Sequence, residues 1–252
     1  MGCTGIKLIY PLNRLEFIHH KRASMHPTAL TNADFFFKTY LNQDMAGSRV
    51  VEIGSQDVNG SLKSLCPNGM EYLGVDFVSG KGVDIVLTDP YKLPFEDNSV
   101  DFCLSSSVLE HSEMFWVLFI EILRILKPNG LFYLNAPSNG PFHRYPVDCW
   151  RFYPDSGAAL VNWAKRCNLN SALLESYISF QKNDFWNDFI AVFIKDAAHI
   201  GSYPNRIINT NKNFYNGIVY GSSNFINPKN TTEDILKLQT INDIASGKLT
   251  LR

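Results

Sequence analysis

The stretch RVVEIGSQDVNGS, residues 49–61, decides the fold. Its first half is apolar and β-branched around Glu52, and the run breaks at Gly54 into small and polar residues. Such a pattern is typical of a buried strand that ends in a tight turn. The SLKSL segment after Gly60 has helical spacing. We therefore predict a strand, a turn and a helix whose backbone N–H groups face a ligand.

Two familiar phosphate-binding motifs do not fit this turn. A dinucleotide fingerprint needs a second glycine where Gln56 stands. A P-loop needs Ser or Thr after its lysine, but the only similar run, Gly-Lys-Gly at 80–82, has another glycine there. What remains is Glu52, an acid two residues before Gly54 that suits a cationic amino-acid head group. An ordinary strand-to-helix turn is the alternative.

Four more apolar runs of strand length follow this unit, at 71–76, 83–89, 99–105 and 131–135. Runs of this kind that alternate with helices predict a mostly parallel sheet with both faces covered. Because crossovers are right-handed, the carboxyl ends of the strands meet at one edge, where open α/β sheets bind ligands. Asp76 and Asp89 end two of these runs. An acid about twenty residues after the glycine turn can bind the ribose hydroxyls of a nucleoside.

The remaining elements complete an α/β fold with a doubly wound, seven-stranded, mostly parallel sheet. We predict helices over 31–43, where Thr31 or Asn32 is the N-cap, and over 113–127, 155–167 and 232–246. The first of these helices is expected over the ligand crevice. The runs 172–180 and 188–195 are predicted strands, and their short connection makes them antiparallel neighbours. Residues 201–230 are rich in Asn, Tyr, Gly and Ser, which predicts a long surface excursion.

A loop with four prolines, residues 136–154, follows the fifth strand and starts beside the same edge of the sheet. Cations, an acid and aromatic residues are concentrated in it, namely His143, Arg144, Tyr145, Asp148, Trp150, Arg151 and Tyr153. The prolines lower its freedom before anything binds, which favours a preformed site. We interpret it as the loop that binds a second substrate. The alternative is a structural loop whose aromatics pack on the core and whose Arg151 pairs with Asp148.

Composition limits the classes of partner. The chain has 252 residues, of which 45% are hydrophobic, which is enough for one core with appendages. Its formal net charge of −1 argues against nucleic acid as a partner, because nucleic-acid binders usually show a basic face. The five scattered cysteines include no Cys-x-x-Cys pair, and no apolar run is long enough to predict a membrane span. We therefore expect a cytoplasmic protein with reduced thiols.

Taken together and in order, five landmarks resemble the class I S-adenosylmethionine-dependent methyltransferases. They are Glu52-Ile53-Gly54, Asp76, Asp89 with Leu93-Pro94-Phe95, Leu109-Glu110-His111 and Leu126-Lys127-Pro128-Asn129-Gly130. The resemblance covers roughly residues 49–196 and looks most like the bacterial small-molecule branch found in capsular and surface-polysaccharide biosynthesis. Two residues depart from the family pattern. Gln56 replaces a glycine, which implies a less intimate backbone approach to the ligand, and Asn129 replaces another in a turn that Asn tolerates.

The resemblance implies S-adenosyl-L-methionine as cofactor and S-adenosyl-L-homocysteine as product. The cofactor site that it implies is formed by Glu52, Gly54, Ser55, Asp57, Asp76, Phe77, Asp89, Pro90 and Ser106. It also implies methyl transfer to a carbohydrate or another small polar metabolite, at a hydroxyl or a phosphoramidate oxygen. Loops similar to 143–152 occur in this branch, so Arg144, Tyr145, Trp150 and Arg151 are expected to bind the acceptor.

Methyl transfer to a sugar hydroxyl predicts a base, because the hydroxyl is a poor nucleophile until its proton is leaving. Histidine has a suitable pKa. His143 is our first choice, with Asp148 as its orienting partner or as an acid that binds the acceptor. His111 is the other candidate, or else a residue that lines the cofactor site. The spacing of these residues matches no recognised metal-ligand pattern, so no metal is predicted.

We divide the chain into an N-terminal arm and capping helix (1–48), a catalytic domain (49–196) and a C-terminal extension (197–252). The basic run at 19–22 is expected to be a solvated face, or an arm over an anionic acceptor. The extension is expected to act as a lid or as a homodimer contact. Two other functions stay open. One is an NAD-dependent oxidoreductase on a similar fold, which the missing glycine opposes, and the other is a non-catalytic, cofactor-binding scaffold protein.

Overall fold

The computed structural model describes residues 27–41, 45–58, 60–182 and 185–250. Within these ranges it contains one sheet and five α-helices. The helices are α1 (Pro27–Tyr40), α2 (Phe115–Ile125), α3 (Ser156–Arg166), α4 (Ile207–Thr210) and α5 (Glu233–Ala245). The basic run at 19–22 and the predicted arm before Pro27 lie outside the described residues.

The sheet has eight strands in the order β3-β2-β1-β4-β5-β7-β6-β8. They are β1 (Arg49–Ile53), β2 (Glu71–Asp76), β3 (Ile85–Val86), β4 (Val100–Ser106), β5 (Leu126–Pro137), β6 (Ala172–Ser179), β7 (Asp188–Ile194) and β8 (Phe214–Val219). Neighbours from β3 to β5 are parallel, whereas the β5–β7, β7–β6 and β6–β8 pairs are antiparallel. The predicted doubly wound sheet is confirmed, with one strand more than expected. The additional strand, β8, is antiparallel to its neighbour, so β7 and β8 both run opposite to the other six strands.

The prediction of a surface excursion over 201–230 is wrong in its first half. Tyr203, Ile207 and Phe214 are each less than a tenth exposed, and β8 pairs with β6 at the edge of the sheet. Strand β8 was not predicted from the sequence because Asn216 and Gly217 interrupt its apolar pattern. Asn216 has a φ of +50°, and the pairing of β6 with β8 shifts register between Ser176 and Ile178, which marks an irregular strand.

Three predicted elements differ in extent. The third strand shrinks from 83–89 to Ile85–Val86, because only two of its residues pair with β2 at the sheet edge. The predicted helix after the glycine turn is a single 3₁₀ turn, Leu62–Leu65, whose N-cap Ser61 accepts from the amide of Lys63. Helix α1 begins at Pro27, a residue favoured in the first turn, so Thr31 and Asn32 lie inside the helix and are not its cap.

The two faces of the sheet hold separate apolar clusters. One cluster lies under α2 and α3 and is centred on Phe119, Phe132 and Phe193. The other lies under α1 and α4 and includes Phe36 and Tyr133, whose ring centroids are 4.8 Å apart. Helices on both faces leave the carboxyl ends of the parallel strands as the open edge of the domain.

Helix α5 leaves its apolar stripe exposed. Ile235, Leu238 and Ile241 are 44%, 52% and 61% exposed. The helix is tied to the β6–β7 connection at its start, where Glu233 accepts hydrogen bonds from the amide of Gln181 and the side chain of Asn187. Among the described residues, this stripe is therefore not buried against the rest of the domain.

Gly74 makes the closest backbone approach in the sheet. A Cβ at this position of β2 would lie 2.0 Å from the carbonyl oxygen of Gly82 and 2.8 Å from Cβ of Ser55. Because a backbone atom blocks the space, we expect Gly74→Ala to lower the free energy of unfolding by roughly 1–3 kcal/mol or more. Gly201→Ala, which has no atom within 4 Å, should stay within about 0.5 kcal/mol of wild type. Urea denaturation measures both, and equal stabilities would contradict the packing described here.

Candidate functional site

A cavity of about 320 Å³ opens at the carboxyl ends of β1, β2 and β4. The predicted cofactor residues that line it are Glu52, Gly54, Ser55, Asp76, Phe77 and Ser106. Four residues predicted for the acceptor or the chemistry line it as well, namely His111, His143, Arg144 and Tyr145. Ala29 in the first turn of α1 also borders it. The position and size are those of a small-ligand site in an open α/β sheet.

The glycine turn brings β1 against the segment after β4. Gly54 has a φ of +76°, and a Cβ there would lie 2.1 Å from a methyl carbon of Val108. Only glycine allows both the conformation and the contact. Gln56, which stands where a dinucleotide motif has glycine, forms part of the wall. Its side-chain oxygen accepts a hydrogen bond of 3.1 Å from the Tyr145 hydroxyl, which joins the turn to the loop over 137–154.

Glu52 is a buried carboxylate on the cavity wall. Its side chain is 4% exposed, and the hydroxyl of Tyr72 donates a hydrogen bond of 2.7 Å to it. Burial raises the pKa of Glu52 to about 7, and the hydrogen bond from Tyr72 opposes this shift. A cationic ligand would stabilise the ionised form. Tyr72, which sequence reasoning missed, lies in β2 two residues before Gly74, the residue that pairs with Glu52 across the two parallel strands.

Asp76 is the last residue of β2 and is 8% exposed. One carboxylate oxygen accepts from the amide of Gln56 at 3.3 Å and the other from the amide of Val78 at 3.1 Å. These bonds hold the carboxylate at the rim of the cavity. A carboxylate oxygen accepts more than one hydrogen bond, so Asp76 can still bind the hydroxyls of a ribose.

Three predicted cofactor residues lie outside the cavity lining. Asp57 accepts from the amide of Gly60 at 2.8 Å and pairs with Lys81 at 2.6 Å, so it organises the turn. Asp89 and Pro90 come after the short β3 has ended, and the exposed Asp89 carboxylate caps the amide of Tyr91 at 2.8 Å. The sequence pattern predicted that Asp89 ends the third strand, but β3 ends at Val86, so Asp89 lies three residues beyond it.

The loop over 137–154 folds back over the cavity and is organised by Asp148. This carboxylate forms two hydrogen bonds with Arg151, at 2.6 and 2.9 Å, and accepts from the amide of His143 at 2.7 Å. The hydrogen bonds from Arg151 hold the pKa of Asp148 at about 2. Arg151 also donates to the carbonyl of Pro141. The pairing of Arg151 with Asp148 is therefore structural, and Arg151 is not placed on the cavity wall.

Trp150, which was also expected to bind the acceptor, does not line the cavity. Its indole donates a hydrogen bond of 2.9 Å to the carbonyl of Ser112. Its ring packs against Phe115 and Trp116, with centroids 5.4 and 5.8 Å away. The loop therefore divides into two parts: His143, Arg144 and Tyr145 line the cavity, whereas Trp150 packs against the core.

The two histidines are neighbours, with ring centroids 4.9 Å apart. Nδ1 of His111 faces the carbonyl of Val147, and Nδ1 of His143 lies 3.2 Å from the carbonyl of Pro141. Burial lowers the pKa of His111. Both rings therefore keep Nε2 for another partner. Nδ1 of His143 lies 3.5 Å from a carboxylate oxygen of Asp148, the acid predicted to orient it.

Glu110 is a buried acid beside the cavity to which the sequence analysis gave no role. It precedes His111 in the 3₁₀ turn after β4 and is 1% exposed. Neither of its carboxylate oxygens forms a hydrogen bond with a described residue, and burial raises its pKa to about 8. The available signal was an acid directly beside the histidine in the Leu109-Glu110-His111 landmark.

Residues 60–134 match the model of a family described as a methyltransferase domain. A solved 1,6-didemethyltoxoflavin-N1-methyltransferase from Burkholderia thailandensis, with S-adenosylhomocysteine bound, covers 67% of this chain and 78% of its own, at a TM-score of 0.50 and 14% identity. The chain has a methyltransferase fold. A [4+2]-cyclase, SpnF, has the same fold at a TM-score of 0.51 and 15% identity, covering 69% of this chain and 84% of that one.

Curated relatives agree with the methyltransferase domain. An uncharacterized methyltransferase from Mycobacterium marinum is 44% identical over 101 residues, which are 40% of this chain and 39% of that protein. The match thus spans about two fifths of the length of this relative. The domain, the relatives and the fold support the enzyme class predicted from the sequence, a methyltransferase with S-adenosylmethionine as its cofactor. Among the described residues, no helix is long and apolar enough to cross a membrane.

Proposed function

We propose that this protein transfers a methyl group from S-adenosylmethionine to an oxygen of a carbohydrate or another small polar metabolite in surface-polysaccharide biosynthesis. The observation that carries the proposal is the pair of buried carboxylates on the cavity wall. Glu52 and Asp76 lie on neighbouring parallel strands, at 4% and 8% exposure, with the glycine turn between them. This spacing suits a ligand with a cationic amino-acid end and a ribose.

The cofactor, when bound, supplies an electrophilic methyl group on a positively charged sulfur. The residues of the chain bind and orient the two reactants. Glu52 faces the amino-acid end, Asp76 accepts from the ribose hydroxyls, and the turn at Gly54 lets the ligand approach the backbone. Because methyl transfer is an in-line displacement, holding the acceptor oxygen in contact with the methyl group provides a large share of the rate.

The acceptor is proposed to lie under the loop over 137–154. Tyr145 and the exposed Arg144 line this side of the cavity, and the guanidinium of Arg144 suits a phosphate or phosphoramidate group. His143 activates the acceptor hydroxyl through Nε2. An imidazole can do this directly as a base, or by holding a cation beside the hydroxyl. Either use requires that Asp148 and Pro141 hold the other ring nitrogen.

The division into an arm and capping helix (1–48), a catalytic domain (49–196) and an extension (197–252) is part of the proposal. The exposed stripe of α5 supports a lid or a homodimer contact for the extension, since large apolar side chains there are uncovered in the single chain. The formal net charge of −1 supports a small acceptor over a nucleic acid.

Asp76→Ala tests the cofactor site. We expect the affinity for S-adenosylhomocysteine to fall roughly 10- to 150-fold, because a hydrogen bond to a charged group contributes about 1.5–3 kcal/mol. Isothermal titration calorimetry measures the change, and circular dichroism checks the fold. Asp243→Ala, an exposed acid on α5, is the matched control. Unchanged affinity in Asp76→Ala would remove this residue from the site.

Formation of S-adenosylhomocysteine with glycan or sugar-phosphate acceptors then tests the activity itself. Turnover would exclude the scaffold alternative. Binding of NADH with no binding of S-adenosylhomocysteine would replace the proposal by the oxidoreductase alternative.

A further inference from the structure

Three ligand-forming side chains converge beside the cavity. Glu110, His111 and His143 each offer one atom, and these atoms lie within 4.8 Å of one another. We propose that the three side chains bind a divalent transition metal ion of the Zn²⁺ class, with an open position towards the cavity. A set of two histidines and one glutamate is one of the ligand sets of catalytic zinc, in which the fourth position holds water or substrate.

The hydrogen bond at Nδ1 of His111 leaves Nε2 free to bind a metal ion. The carbonyl of Val147 can only accept, so Nδ1 of His111 carries the hydrogen and Nε2 keeps its lone pair. Histidine ligands usually donate their other ring N–H to a carbonyl or a carboxylate in this way. Nε2 lies 3.7 Å from a carboxylate oxygen of Glu110. If one ion had bonds of about 2.0–2.1 Å to both atoms, the angle between the two bonds would be roughly 125–135°.

A proton shared between Glu110 and His111 is the competing explanation. An O–H···N hydrogen bond needs a separation of about 2.6–3.2 Å, and the observed 3.7 Å is too long for one. One ion with bonds of about 2.0–2.1 Å to both atoms can span this separation. Glu110 is 1% exposed, and neither of its carboxylate oxygens forms a hydrogen bond with a described residue. A bound cation would therefore provide a partner for this buried carboxylate.

His143 is held in place by its surroundings. Its Nδ1 is 3.2 Å from the carbonyl of Pro141 and 3.5 Å from Asp148, and Asp148 is fixed in turn by Arg151. The ring of Trp186 packs on it edge-to-face at 5.1 Å. Its Nε2 is therefore the atom left for a ligand role. Since His111 and His143 both line the cavity, the open position of the ion faces the acceptor side.

The identity of the ion follows from its ligands. Two imidazole nitrogens favour Zn²⁺, Co²⁺ or Fe²⁺ over Mg²⁺ and Ca²⁺, which prefer oxygen ligands. If the proposed function holds, the ion would coordinate the acceptor oxygen and lower the pKa of its hydroxyl, so that the hydroxyl gives its proton to solvent water and the oxygen takes the methyl group from the sulfur. Metal binding itself does not depend on that function.

Titration of the full chain, stripped with a chelator, with ZnCl₂ in a calorimeter tests the site. We expect one ion per chain, and a visible absorption band of low-symmetry Co²⁺ when CoCl₂ is the probe. Glu110→Gln and His143→Ala should each lower the Zn²⁺ affinity by at least about 100-fold. Each removes a side chain that binds the ion directly, and loss of a residue that only hydrogen-bonds to a ligand already lowers metal affinity by about 10- to 100-fold.

Two controls address the other histidines. His199→Ala removes an exposed imidazole in the turn Ala197–Ser202, and a His19→Ala, His20→Ala, His26→Ala variant removes those before α1. Both should bind Zn²⁺ like wild type. If the ion is lost with the N-terminal histidines, or if Glu110→Gln and His143→Ala bind it unchanged, the proposal is overturned. Circular dichroism shows whether Glu110→Gln is folded. If it is not, His143→Ala provides the test, because His143 is half-exposed and its replacement should not disturb the fold.

Binding of S-adenosylhomocysteine separates this inference from the proposed function. Glu110→Gln should keep that affinity while losing the ion, and Asp76→Ala should do the reverse. A chain that binds Zn²⁺ at Glu110 and His143 but never binds S-adenosylhomocysteine would keep the metal site and reject the methyltransferase. A chain that binds S-adenosylhomocysteine but no Zn²⁺ would reject the metal site alone.

Discussion

Glu52→Gln is expected to weaken the binding of S-adenosylhomocysteine roughly 10- to 150-fold, and at the same time to stabilise the fold above neutral pH. The loss of affinity follows from removing a carboxylate that faces the cationic end of the ligand, at about 1.5–3 kcal/mol. The gain in stability follows from removing a buried charge. Few residues outside a binding site combine these two effects, so the pair of results would mark Glu52 as functional.

The sign of the stability effect comes from the pKa of Glu52. Burial raises this pKa from 4.5 to about 7, so between these values the folded protein holds a proton that the unfolded chain has lost. The contribution of Glu52 to the free energy of unfolding therefore falls as the pH rises through this window, by about 3 kcal/mol in total. Glutamine carries no charge, so we expect the variant to match wild type near pH 5 and to exceed it near pH 8.

Urea denaturation of both proteins at the two pH values measures this difference. Subtracting the wild-type stability from that of the variant removes the contribution of the other titrating groups, which both proteins share. Glu175→Gln is the matched control. Glu175 is also buried, but it accepts hydrogen bonds from the hydroxyl of Tyr40 and the amides of Ile207 and Ile208. Burial raises the pKa of Glu175 as well, but Glu175 does not line the cavity, so its replacement should leave ligand affinity unchanged. If Glu52→Gln binds S-adenosylhomocysteine as wild type does, the ligand is oriented differently from our proposal.

His143→Ala is expected to lower kcat by about 10²- to 10⁴-fold, the range typical of a positioned group that assists proton transfer. The affinity for S-adenosylhomocysteine should not change, because His143 lies on the acceptor side of the cavity and Glu52 and Asp76 on the other. Initial rates at saturating cofactor measure the first effect, and calorimetry measures the second.

Phe142→Ala is the control for the loop. Phe142 is the neighbour of His143, is 75% exposed and does not line the cavity, so its variant should keep wild-type turnover. The role we assign to His143 fails if activity survives its replacement while His111→Ala abolishes it. In that case His111 is the activating residue, and His143 only helps to close the cavity.

The mostly parallel sheet and the edge at which the ligand site is expected could be predicted from the chain alone. Runs such as 49–53 and 71–76 carry local information, because β-branched residues followed by a glycine turn or an acid specify a buried strand and its end. Right-handed crossovers then bring those ends together without knowledge of any contact. Glu52 and Asp76 were found in this way.

The tertiary structure decided which residues of the loop face the cavity and which pack on the core. Its backbone is bonded to the 3₁₀ turn after β4, where the amide of Cys149 donates to the carbonyl of Glu110 at 2.8 Å and His111 donates to Val147. These contacts join segments that are more than thirty residues apart, and no periodicity of either segment records them. They turn Trp150 inward and bring Glu110 close to His143, because the backbone groups of the loop pair with the partners that the fold places beside them.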